Sequence, residues 1–145
     1  MTGPESNSPQ ILHATSVALN GRAAVLTGAS GSGKSALALE LMARGAALIA
    51  DDRTLLRATP DGLIAGAPDS IAGLIEARFV GLLAADPAPP AQVALVIDLD
   101  RVETDRLPPH RHTDLLGHSV PLLYRADGAH FAASIIQYLK AGRVE

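Results

Sequence analysis

The chain has no cysteine, which excludes disulfides and thiolate–metal sites and suits a reducing compartment. Aromatic residues make up only 3% of it, and tryptophan is absent, so the core has to be built from Ala, Val, Leu and Ile. No apolar run approaches the roughly 20 residues that a membrane-spanning helix needs. The opening MTGPESNSPQ lacks the basic and apolar stretches of a signal peptide and reads as a flexible polar leader over residues 1–10. Positive charge is also scarce: 12 Lys and Arg against 15 Asp and Glu give a net charge of −3. No basic stripe is therefore available to neutralise nucleic-acid phosphates, and the RTLLR and HRH clusters are too short to serve as one. The expectation is a soluble, cytoplasmic protein with neither nucleic acid nor membrane as a partner.

What remains is a chain of 145 residues, 48% hydrophobic and 19% charged, which is the size and balance of a globular domain. A single domain is expected over residues 11–145. The stretch Ala23–Ala50 organises it. The apolar run Ala23–Thr27 feeds a glycine-rich turn, and Lys34–Arg44 follows with apolar residues at helical spacing. Gly28-Ala29-Ser30-Gly31-Ser32-Gly33-Lys34-Ser35 fits G-x-x-x-x-G-K-S/T, the P-loop pattern. Glycines let successive backbone N–H groups curl around an anion, and the helix aims its positive end at the same point. Lys34 then reaches the β- and γ-phosphates of a nucleotide, and the Ser35 hydroxyl ligates Mg²⁺.

Around this unit the spacing predicts a strand over Ile11–Leu19, an Asn20-Gly21 hairpin that pairs it with Ala23–Thr27, and a cap at Gly45. A strand buried on both faces follows at Ala47–Ala50. A second hairpin closes on Thr59-Pro60-Asp61-Gly62. Residues 71–83 read as mixed, QVALVIDL over 92–99 as a central strand, and 101–116 as irregular. A last strand over 120–125 and a helix over 128–140 complete an α/β arrangement, a P-loop-containing mixed sheet with flanking helices.

Asp51 and Asp52 end the strand after the P-loop helix, where ligands bind in open α/β sheets. Adjacent residues at a strand end face opposite sides. One of the two carboxylates can act as general base towards an attacking hydroxyl while the other serves a metal. His13 lies on the strand beside the P-loop strand, where an imidazole can hold an acidic group or the phosphoryl group. Glu76 and Arg78 interrupt an apolar run, so the carboxylate can join a metal shell and the guanidinium can bind phosphate. Asp98 and Asp100, at the end of VALVIDLD, compete with the Asp51–Asp52 pair for Mg²⁺. His110, His112 and His118 lack supporting carboxylate spacing and read as surface residues.

These blocks occur in the order His13, GASGSGKSALALELMARGA, LIADDRTLL and IAGLIEARFVGLL. Together they resemble the C-terminal catalytic domain of HPr kinase/phosphorylase, and the last block resembles that family's E-I/V-R-G signature. The resemblance implies a core similar to that of phosphoenolpyruvate carboxykinase. It also implies an ATP- and Mg²⁺-dependent serine kinase acting on the phosphocarrier protein HPr, with a phosphate-dependent phosphorylase as the reverse activity and a role in phosphotransferase-system regulation.

Carried over residue by residue, it implies that Gly28 to Ser35 binds the nucleotide and that Asp51 is the base. Asp52, Glu76 and Ser35 serve the metal, His13 positions the acidic group, and Arg78 shapes the signature loop. Family members form hexamers. The chain looks like the short form found in alphaproteobacteria, whose partner is a nitrogen-branch HPr. It departs from the family at Phe79, which stands where the signature carries glycine, and at LYRADGAHFAAS, which does not match the PGRN-type loop. A small-molecule kinase and a nucleotide-sensing module with little turnover are the other readings of the same motifs.

Overall fold

The computed structural model describes residues 8–145, so the expected leader lies outside the described residues as far as residue 7. Gln10 already belongs to the first strand. The elements in chain order are β1 (Gln10–Leu12), β2 (Ala14–Leu19), β3 (Arg22–Thr27), α1 (Lys34–Ala43), β4 (Ala47–Ala50), β5 (Thr54–Thr59) and β6 (Gly62–Gly66). Then come β7 (Leu74–Ala77), β8 (Gly81–Ala84), β9 (Ala91–Val102), β10 (Arg111–Leu115), β11 (His118–Arg125) and α2 (Phe131–Ala141).

Nine strands form one mixed sheet in the order β1-β5-β6-β9-β3-β2-β4, with β11 beside β9 and β10 outside it; β7 and β8 form a separate hairpin. β9 is the spine. One edge runs parallel to β3, and the other meets β6 near Gln92 and runs parallel to β11 from Val96. The carboxyl ends of β3, β9 and β11 therefore emerge on the same side.

Both faces of the sheet are covered, which is why the central strands are apolar at successive positions. Ala24, Leu26, Leu95 and Ile97 pack under α1 and α2 against Leu37, Leu41, Ile135 and Leu139. Ala23, Val25 and Val96 face the other way, onto Ile49, Leu56, Leu63 and Val120 of the curled second half. The register slips between Val93 and Leu95, so Ala94 and Leu95 turn to the helix side together. A bulge of this kind re-aims the rest of the strand.

Asn20 and Gly21 take φ of 54° and 76°, the left-handed pair that a tight hairpin between right-twisted strands requires. α1, β4 and the β5–β6 hairpin fall where the sequence places them, within a residue or two. Elsewhere the structure differs. The strand expected over 11–19 breaks at His13: β1 pairs with β5, whereas β2 pairs with β3 and β4. A single straight strand cannot serve both sets of neighbours. The mixed segment 71–83 contains the β7–β8 hairpin, and residues 111–115 of the expected irregular run form β10. Among the described residues no helix is long and apolar enough to cross a membrane.

Candidate active site

The loop between β3 and α1 follows from its glycines. Gly28, Gly31 and Gly33 have φ of 147°, 83° and 101°, conformations that side chains resist. At Gly28 there is also no room: a Cβ would lie 2.6 Å from Ser32 Oγ and 3.3 Å from Asp100 Oδ1. Among the described residues no side chain caps the start of α1, so the N-terminal dipole of that helix opens towards the cleft. Lys34 is 6% exposed and folds over the loop, donating to Gly28 O at 2.8 Å and Ala29 O at 3.1 Å. On the far side of the loop Asp100 accepts the Ala29 N–H through both carboxylate oxygens, each at 3.1 Å. Ser32 Oγ is buried in the loop without a hydrogen-bond partner among the described residues.

Beside the loop lies an open cleft of about 730 Å³. Lys34 and Ser35 form its floor, Asp51 and Asp52 one wall, and Glu76, Arg78 and Val80 of the β7–β8 hairpin the other. Three of the expected acids, Asp51, Asp52 and Glu76, thus line one cleft, and of these Asp51 bonds Ser35. Asp98 and Asp100 are not: Asp98 Oδ1 accepts the Asp100 N–H at 2.9 Å, and Asp100 is committed to Ala29.

The two adjacent aspartates have different surroundings. Asp51 Oδ1 accepts from Ser35 Oγ at 2.7 Å and from Thr15 Oγ1 at 3.0 Å, while its Oδ2 accepts the Glu76 N–H at 2.9 Å. It is clamped between α1, β2 and β7. Asp52 lies in the left-handed region at φ 67°, a conformation that Asp tolerates better than most residues. Its side chain pairs with His13, whereas Ser35 bonds Asp51. Asp52 is 63% exposed, and its Oδ1 sits 2.6 Å from His13 Nε2. His13 occupies the break between β1 and β2, where the chain bends towards β5 and brings the imidazole over this wall.

Thr15 was missing from the sequence-derived residues. Its hydroxyl donates to Asp51 and accepts the Asp52 N–H at 3.1 Å, so one buried side chain orients both acids. Beneath it the Ser16 and Thr54 hydroxyls are 2.8 Å apart, and the Ala14 N–H reaches Asp52 O at 3.0 Å. The signal is the polar Thr-Ser step that, with His13, interrupts the apolar run ILHATSVAL. Arg78 lies close to the loop: a Cβ on Gly31 would stand 3.8 Å from its guanidinium. Phe79 takes φ 69° and so follows the backbone path that a glycine would.

The carboxylate and hydroxyl oxygens of Asp51 and Ser35 make a hard donor set suited to Mg²⁺, which takes one or two protein oxygens together with phosphates and water. No cluster of three or more His, Cys, Asp or Glu side chains arranged for a metal occurs among the described residues. Any such ion therefore depends on oxygens from its substrate.

Comparison with known proteins identifies relatives of the chain. The HPr kinase/phosphorylase of Geobacillus thermodenitrificans is 37% identical over 114 residues, covering 73% of this chain and 35% of that protein. The protein of the same name from Exiguobacterium sibiricum is 44% identical over 73 residues, 50% of this chain and 24% of its own length. The chain thus spans about a quarter to a third of the curated relatives it matches. The solved structure of the Hpr(Ser) kinase/phosphatase from Coxiella burnetii superposes with a TM-score of 0.72 at 23% identity. That match covers 90% of this chain and 88% of that one, and it shows a shared fold. The family model described as "HPr Serine kinase C-terminal domain" matches residues 6–123, and the chain belongs to that family.

Proposed function

We propose that the protein is an ATP-dependent serine kinase whose substrate is the phosphocarrier protein HPr, working in the cytoplasm. The carrying observation is the division of labour between two neighbouring acids beside one G-x-x-x-x-G-K-S loop. Asp51 is bonded to Ser35, and Asp52 stands free of the loop against His13.

The glycine-rich loop and the N-terminus of α1 cradle the triphosphate, with the Lys34 ammonium moving from the loop carbonyls onto phosphate oxygens. The partnerless Ser32 hydroxyl inside the loop supports the presence of an anion there. Arg78 supplies a second cation from the facing hairpin. Ser35 and Asp51 would hold Mg²⁺, which when bound offsets charge on the phosphates.

This exchanges the roles that the resemblance assigns to the two aspartates. Asp51 already accepts three hydrogen bonds and cannot turn towards an incoming hydroxyl without breaking them. Asp52 is exposed, and among the described residues its carboxylate has one partner, His13. Asp52 therefore takes the proton of the acceptor serine as its oxygen attacks the γ-phosphorus and the bond to ADP breaks. His13 orients the carboxylate for that transfer. In the phosphate-dependent direction an oxygen of inorganic phosphate attacks the phosphoserine phosphorus, pyrophosphate forms, and the proton returns through Asp52 to the departing serine oxygen. Glu76 holds Asp51 through its backbone and places its carboxylate at the rim of the cleft.

The test is incubation of the purified chain with Mg-ATP and purified HPr, the nitrogen-branch form included, with the label located by mass spectrometry. Phosphate on an HPr serine is the expected result. Nucleotide binding with no transfer to any HPr would overturn the assignment.

A further inference from the structure

We propose that the tip and outer face of the β7–β8 hairpin, led by Phe79, form the docking knob for the protein that receives the phosphoryl group. This rests on the protein-kinase reading above. Phe79 is 101% exposed, Val80 74% and Leu82 68%, and Leu74 is also exposed. The register sets Glu76 opposite Leu82 and Leu74 opposite Ala84. With Ile75 and Leu83 turned to the core, Leu74, Leu82 and Ala84 share the outer face with Glu76, so an apolar strip with one carboxylate beside Leu82 runs down the hairpin from its tip. Phe79 is doubly unfavourable for an isolated chain: a large ring fully in water, on a backbone at φ 69° where a β-substituted residue is strained. The ring contributes nothing to the core, which leaves an external contact as its use.

The occupant follows from position and size. Glu76, Arg78 and Val80 of this same hairpin line the cleft together with Asp52, so a protein seated on Phe79 and Leu82 lies at the mouth of the cleft that Asp52 lines. Four side chains offer less than the roughly 800 Å² per partner that a stable complex buries. A second copy of this chain held here alone would fall apart, whereas an acceptor that must leave after each turnover needs no more. A rigid aromatic ring is the side chain that anchors such contacts. The acceptor should therefore present an apolar patch next to its reactive hydroxyl.

The experiment compares the full chain with Phe79→Ser, Phe79→Gly and Leu82→Ser, using Mg-ATP and purified HPr. All three should raise KM for HPr, about tenfold or more at position 79. Their kcat should stay within about twofold, with ATP affinity and sedimentation coefficient unchanged. Phe79→Gly relaxes the positive φ and should melt no lower than the native chain, so its raised KM cannot come from misfolding. An unchanged KM in variants of a chain that phosphorylates HPr overturns the docking role alone. So does a smaller sedimenting particle, which would make the strip an interface between copies, and so does weakened ATP binding, which would make it part of the nucleotide site. A native chain that transfers nothing to HPr removes the kinase reading and this inference with it.

Discussion

Replacing each neighbouring aspartate by asparagine in turn should give two unlike proteins. Asp51 offers two oxygens to three donors, the hydroxyls of Thr15 and Ser35 and the Glu76 N–H, at 2.7 to 3.0 Å. An amide has one acceptor oxygen, so Asp51→Asn turns an N–H₂ towards at least one donor and weakens the remaining bonds to neutral strength. Hydrogen bonds to a charged group contribute about 1.5–3 kcal/mol, and a donor left facing a donor costs about 1–3 kcal/mol. The expected loss is roughly 2–3 kcal/mol, since water reaches part of the site. At about 2–4 °C per kcal/mol for a chain of this size, that is a fall in Tm of about 4–12 °C.

Asp52→Asn loses one exposed pair with His13, worth about 0–1 kcal/mol, and asparagine tolerates the left-handed backbone. Its Tm should hold while phosphoryl transfer falls by about 10² to 10⁴, with ATP affinity retained. Calorimetry, nucleotide titration and a transfer assay on the same preparations read all of this. Equal melting temperatures for the two variants would refute the structural distinction. Transfer at the native rate by Asp52→Asn would return the proton to another group.

Lys34→Ala should weaken ATP binding by about tenfold to a hundredfold or more, because it removes the buried cation among the phosphates; calorimetric titration checks it. Gly28→Ala should lower both Tm and ATP affinity, since the new methyl meets Ser32 Oγ at 2.6 Å on a backbone at φ 147° and must displace the loop. Thr15→Val should reduce transfer at nearly full ATP affinity, because it frees the Asp52 backbone from its hydroxyl anchor; KM and kcat for HPr separate the two. Arg111→Ala should cost about 1–3 kcal/mol in chemical denaturation. Arg111 pairs with Glu103 at 3.0 Å and stacks 4.4 Å over the Tyr124 ring. Arg101→Ala, exposed and 3.8 Å from Asp98, should change stability by less than about 0.5 kcal/mol.

The features that could be read from sequence were those fixed locally. Asn20-Gly21 dictates its turn through backbone sterics, Gly28 to Ser35 dictates the loop, and QVALVIDL is apolar enough to be central under any topology. What escaped depends on contacts distant in the chain. His13 breaks a run that looks continuous because β1 and β2 answer to different neighbours. Residues 74–84 form short strands whose outer face carries Leu74 and Leu82, so the usual alternation of apolar and polar is blurred. β10 hides in RHTDL because an edge strand can be polar at nearly every position, with Leu115 alone packed against the core. Period-two geometry says that Asp51 and Asp52 diverge, but only the placement of Thr15, Ser35 and Glu76 decides which of them faces the loop.

The position of β9 bears on how the chain acquires its structure. β3 ends in the glycine-rich loop, yet its parallel neighbour is some 70 residues further along, with Thr27 opposite Asp98. Parallel pairing at that separation needs a large loop closed before any stabilisation returns, which places such proteins among the slower folders. During synthesis the first half of the chain waits with one flank of β3 bare until Asp98 has emerged. A fragment cut before Ala91 would keep the whole G-x-x-x-x-G-K-S stretch and still lack the strand that holds it in place.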